Sequence, residues 1–120
     1  TDASWDGEKV LERSITVTKQ IIFSSYTPKT SGGSSCTPDQ GTGKVYVLDM
    51  DDATPVNDAD SSGTLTATDR SQTLVKGGMP PGIAVVFPSD GSAGIAIVGA
   101  EAVRALPVSR EPVKTYWRLQ

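Results

Sequence analysis

The sequence predicts an all-β protein built of antiparallel sheets. Three observations carry that expectation. Glycine (12) and proline (8), with many Ser, Thr and Asp, interrupt the 120-residue chain about every ten residues. The apolar residues between the breaks form short alternating runs rather than helical stripes. Aromatics are only 6% of the chain, so the core must rest on Val, Ile, Leu and Ala. The length suits one domain, residues 1–120, read as a propeller-blade-like segment or as a small β-sandwich.

The elements follow in order. Residues 1–8 are a polar lead-in whose Trp5 is expected to cover a core or an edge. Arg13–Thr18 alternates, with Ile15 and Val17 on one face and Ser14, Thr16 and Thr18 on the other, which is a half-exposed strand. Gln20–Thr27 sets Ile21 and Phe23 against Ile22 and Tyr26, and a strand apolar on both faces is a central one. Pro28–Gly43 is a long polar loop that either carries function or packs over a sheet edge. Lys44–Met50 is a strand with Val45 and Val47 facing one way, Tyr46 and Leu48 the other.

Asp51–Gly63 reads as an acidic loop in which Pro55 and Val56 form a short edge strand. Thr64–Thr68 and Gln72–Lys76 read as a hairpin around Asp69-Arg70-Ser71, followed by a rigid turn at Gly77–Pro81. Ile83–Phe87 and Gly94–Val98, the most apolar runs, flank the Asp90-Gly91 turn as a second, central hairpin. Ala100–Leu106 fits a short helix or a strand, and Val113–Leu119 a last strand. The expected core is Ile21, Phe23, Val45, Val47, Val85, Phe87, Ile95 and Ile97 in one sheet system, with Phe87→Ala costing about 3–5 kcal/mol.

The order of several short motifs resembles one family, the type IV pilus tip-associated adhesins of the PilY kind, at the end of their C-terminal β-propeller region. The pieces are Gly7-Glu8-Lys9-Val10, Phe23-Ser24-Ser25-Tyr26-Thr27-Pro28, Gly32-Gly33 with Cys36, and Gly43-Lys44-Val45-Tyr46-Val47-Leu48-Asp49. Met79-Pro80-Pro81-Gly82, the hairpin after it, and Tyr116-Trp117-Arg118 continue the likeness, which is thin between Pro55 and Lys76. The resemblance implies propeller blades and a non-enzymatic part in pilus assembly and display, in adhesion and in twitching motility. It also implies export through the periplasm to the cell surface. About nine strands make roughly two blades, which would leave edges for a protein partner to cover. Tyr116, Trp117 and Arg118 are the expected partner interface, together with an edge strand. Cys36, the sole cysteine, is free or pairs outside the chain.

The residue inventory excludes several chemistries. Without histidine there is no Ser-His-Asp arrangement and no His metal ligand. One cysteine cannot form a thiolate zinc site, and the Gly-rich pieces lack the Lys-Ser/Thr ending of a phosphate loop. No enzyme is expected. Net charge is −3, divided as −5 over residues 1–60 and +2 over residues 61–120, and neither half has a nucleic-acid footprint. No apolar run approaches the ~20 residues of a membrane helix. No cofactor is expected, with calcium as the alternative. Its candidate ligands are Asp49, Asp51, Asn57, Asp58 and Asp60, since calcium collects carboxylate and carbonyl oxygens. Ala53 falls where a middle ligand would be needed, so a solvated turn is preferred. Two further functions stay open: a pilin-like subunit that assembles with a separate helical partner, and a calcium-dependent binding module.

Overall fold

The alternating runs become two antiparallel sheets in the computed structural model, which describes residues 7–29, 40–90 and 94–103. The first sheet holds β1 (Lys9–Val10), β2 (Ile15–Val17), β3 (Gln20–Thr27), β4 (Thr42–Asp49) and β5 (Ser71–Thr73). Strands β1 and β2 share one edge of β3, while β4 and then β5 extend the other side. The second sheet is β6 (Ile83–Val86), β7 (Ile95–Val98) and β8 (Glu101–Val103). From β2 to β5, and again from β6 to β8, each strand pairs with the next in sequence.

One aliphatic core lies between the sheets. Ile22, Val45 and Val47 come from the first sheet, and Ile83, Ala96, Val98 and Val103 from the second. This is the small β-sandwich arrangement. The described residues close no propeller. Glu101 ties the layers at one end, its carboxylate accepting the Val75 and Lys76 amides at 2.9 and 2.6 Å.

Local chemistry explains the main connections. Thr18 and Lys19 both take positive φ, 45° and 64°, the handedness a two-residue hairpin needs to match strand twist. At the end of β4, Asp49 accepts the Asp51 amide and Asp52 accepts the Thr54 amide and hydroxyl, which folds the chain back into a Leu48–Pro55 bridge. Gly41 begins the approach to β4 at φ 66°. A Cβ there would lie 2.5 Å from the Tyr26 hydroxyl and 2.7 Å from the Thr27 carbonyl oxygen, so no side chain fits.

Several expectations need correction. Val45 and Val47 are core residues as expected, but Ile21, Phe23, Val85, Ile95 and Ile97 are only half-buried. The buried partners are instead Ile22, Ala96 and Val98, one position along each strand. Phe87 is 39% exposed, packed over Gly94 at the hairpin rim, so its truncation opens no core cavity. The expected hairpin of Thr64–Thr68 with Gln72–Lys76 does not form. Ala67–Arg70 is a 3-10 turn, opened by the Thr66 amide donating to Asp69 at 2.6 Å, and β5 pairs with β4. The open choice at Ala100–Leu106 resolves as a strand over Glu101–Val103. Trp5, Cys36 and the Tyr116-Trp117-Arg118 interface lie outside the described residues.

Candidate functional site

Two polar clusters are built by this topology, one on the outer face of the first sheet and one at the rim of the core. The outer cluster begins with register. β3 pairs with β4 so that Phe23 is opposite Tyr46, and Ser25 opposite Lys44. Strand alternation then puts all four side chains on the outer face, since Ile22 and Val45 point inward. The Phe23 and Tyr46 rings stack with centroids 4.9 Å apart and planes 6° from parallel.

Glu8, just before β1, reaches across this face. Its Oε1 accepts the Ser25 hydroxyl at 2.5 Å and the Tyr46 hydroxyl at 2.8 Å. Lys44 Nζ stands 3.9 Å from Oε2. The Ser25 hydrogen bond, helped by Tyr46 and the Lys44 charge, holds the Glu8 carboxyl below its ordinary range against the opposing effect of burial. Burial raises the Tyr46 phenol, and so do its hydrogen bond to Glu8 and the charge there. Both shifts keep one protonation pattern: an ionised acceptor beneath neutral donors. Such a carboxylate is a poor proton acceptor, and the cluster pins β1 to β3 and β4.

Beside it the sheet face forms an open groove of about 400 Å³. Phe23, Tyr46, Leu48 and Val10 supply apolar walls, with Glu8 and Ser25 within and Lys9 and Arg70 also lining it.

The second cluster occupies the loop from Asn57 to Arg70. Asp69 is buried and its carboxylate is fully engaged. Oδ1 accepts the Ala59 and Asp60 amides at 3.0 and 3.4 Å, and Oδ2 the Thr66 amide and hydroxyl at 2.6 and 2.9 Å. Asp58 accepts the Ser62 and Gly63 amides at 3.0 and 2.7 Å, and Asp60 the Ser62 amide at 2.9 Å. Hydrogen bonds, led by the Thr66 amide on Asp69 and by the Gly63 amide on Asp58, lower both carboxyls. Asp58, Asp60 and Asp69 present oxygens within 4.8 Å of one another. Asn57 and Asp58 also border a hollow of about 290 Å³ that reaches Val45, Val47 and Val103.

The structure therefore redistributes the expected calcium ligands. Asp58 and Asp60 come together as the sequence order allows, and Asp69 joins them. Asp49 and Asp51 belong to the separate turn after β4, where Asp49 accepts the Asp51 amide and Asp51 lies 3.8 Å from Lys19 Nζ. The loop amides already claim oxygens of all three clustered carboxylates, so the loop is held by its own backbone. We expect a chelator to leave the melting temperature unchanged. A rise on adding calcium would show that these oxygens take the ion as well.

Sequence reasoning passed over two residues. Asp69 was signalled by the Thr66–Asp69 spacing of a helix-start cap. Glu8 was visible only as one letter of a motif, because its partners lie 17 and 38 residues away. No protein-family model, curated protein or solved structure matches the chain.

Proposed function

We propose that the chain is a non-enzymatic component of a type IV pilus or a comparable surface filament, where it supports assembly, display and adhesion. The observation that carries this reading is the convergence of three of the motifs, Gly7–Val10, Phe23–Pro28 and Gly43–Asp49. Glu8 from the first, Ser25 and Phe23 from the second, and Lys44 and Tyr46 from the third meet in one hydrogen-bonded and stacked cluster. Residues far apart in sequence thus form one structural unit, which gives their common order a physical reason. Two features agree with it. From β2 to β5 and from β6 to β8 each strand pairs with the next in sequence, as strands do within a propeller blade. Strands β5 and β6 each pair on one side only among the described residues, leaving edges for a partner strand.

On this reading the protein is exported through the periplasm and displayed at the cell surface. Among the described residues no helix is long and apolar enough to cross a membrane. The test is to shear filaments from a piliated host producing the tagged chain and to locate the tag by immunogold. Recovery with the filaments, and fewer surface pili in a strain lacking the protein, are expected. Label along the shaft rather than at the tip would favour the pilin-like subunit. Retention in the cytoplasm with normal piliation would overturn the proposal.

A further inference from the structure

The second sheet is apolar on both of its faces. Inward it gives Ile83, Ala96, Val98 and Val103 to the core. Register then sets Ala84, Ile97 and Ala102 in one row of the opposite face, and Val86 with Ile95 in the next. Ala84, Val86 and Ala102 are exposed there, and Ile95 and Ile97 are half-buried. None of these side chains is polar. Strands apolar on both sides are the kind that a fold covers on both sides. The first sheet differs, since Glu8, Ser25 and Lys44 make its outer face polar beside the Phe23 and Tyr46 rings. Among the described residues the only other sheet lies on the inner side of the second.

We propose that the chain's own C-terminal segment, residues 113–119, covers this face, with Val113, Trp117 and Leu119 seated on Ile95 and Ile97. The segment lies outside the described residues, and its sequence and its point of departure single it out. The preceding strand, β8, ends at Val103 on the edge of this same sheet, so the chain leaves the fold beside the open face. Residues 104–112 can span up to ~30 Å, against the ~10 Å between the outer strands of a three-stranded sheet. In an extended chain Val113, Thr115, Trp117 and Leu119 fall on one side, and Lys114, Tyr116, Arg118 and Gln120 on the other. One side thus matches the apolar sheet and the other matches water. Tethering to β8 gives the segment an effective concentration on the order of millimolar, which a second copy at micromolar concentration does not reach. The inference is independent of the pilus proposal, and it leaves Tyr116 and Arg118 turned outward for a partner.

Proton contacts test it. The full 120-residue chain, with isoleucine and valine methyl groups labelled with carbon-13, is examined by nuclear Overhauser spectroscopy. Contacts from the Trp117 indole to the Ile95 and Ile97 methyl groups are expected. In a mixture of labelled and unlabelled chains, filtered for contacts between molecules, they should be absent. Trp117→Ala should remove them and shift the Ile95 and Ile97 methyl signals, while the signals of Ile22 in the core stay in place and report that the fold is kept. If that variant does not fold, Trp117→Phe replaces it and should shift the same two isoleucines. An indole without contact to either isoleucine would overturn the proposal. So would contacts that persist between molecules, which would make a second copy the occupant, or methyl signals indifferent to the substitution.

Discussion

Replacing Ile22 with alanine is expected to destabilise the protein by about 3–5 kcal/mol. Ile22 is fully buried on β3, opposite Val47 of β4, in the cluster that joins the two sheets. Removing its outer carbons forfeits transfer free energy and leaves a cavity that rigid neighbouring strands cannot close. A domain of this size has about 5–15 kcal/mol in total, so much of the population unfolds in mild denaturant. The informative control is Ile21→Ala, one residue away on the outer, half-buried face. Its cost should be clearly smaller, about 1–2 kcal/mol, because half of its surface change is already paid in the folded state. Urea unfolding of both variants decides the matter. Equal losses would mean that the inner face of β3 is wrongly assigned.

The second large effect is expected at Glu8. Glu8→Ala removes the acceptor of two hydroxyls, and Ser25 is buried with only 3% exposure. A buried donor left without its partner costs about 1–3 kcal/mol, so a loss of about 2–4 kcal/mol is expected for the pair. Glu8→Gln keeps a carbonyl oxygen for Ser25 and Tyr46 but gives up the charge, and should lose about 1 kcal/mol. Tyr46→Phe combined with Glu8→Ala should cost less than the sum of the two single changes, since both remove the same bond.

The Glu8 carboxyl also has a pH signature. Its folded-state pKa lies below its ordinary value. The unfolded chain therefore binds the proton more readily, and stability falls with acid. The contribution is complete above the ordinary carboxylate range and disappears as pH falls from there through the depressed value. Asp52, Asp58, Asp69 and Glu101 are lowered as well, each chiefly by hydrogen bonds from nearby groups, so the native protein should lose stability in acid through several groups at once. Glu8→Gln should flatten that loss without abolishing it. Melting temperatures across the acidic range would show an unchanged slope if Glu8 were already protonated in the folded state.

What the amino-acid sequence determined by itself is local. Turn chemistry and period-two alternation placed β3 at Gln20–Thr27 and predicted the β6–β7 hairpin within a residue or two of its ends. They also separated the two faces of each strand correctly, Ile21 and Phe23 from Ile22, and Val45 and Val47 from Tyr46 and Leu48. Only the tertiary structure decided which of those faces is inside. Alternation is symmetric: in a strand apolar on both sides, either face satisfies it. The choice falls to register, which aligns Ile22 with Val47 and Phe23 with Tyr46, and to the second sheet, which covers only the first of those pairs. The same limit applies to the sites. Asp58 and Asp60 are neighbours in sequence, and a local pattern suffices to group them. Glu8 finds Ser25 and Tyr46, and Asp69 finds Ala59, only because strand pairing and a folded loop bring distant backbone together. A hydrogen bond acts over about 3 Å of space, and sequence separation places no constraint on that distance until the chain has folded.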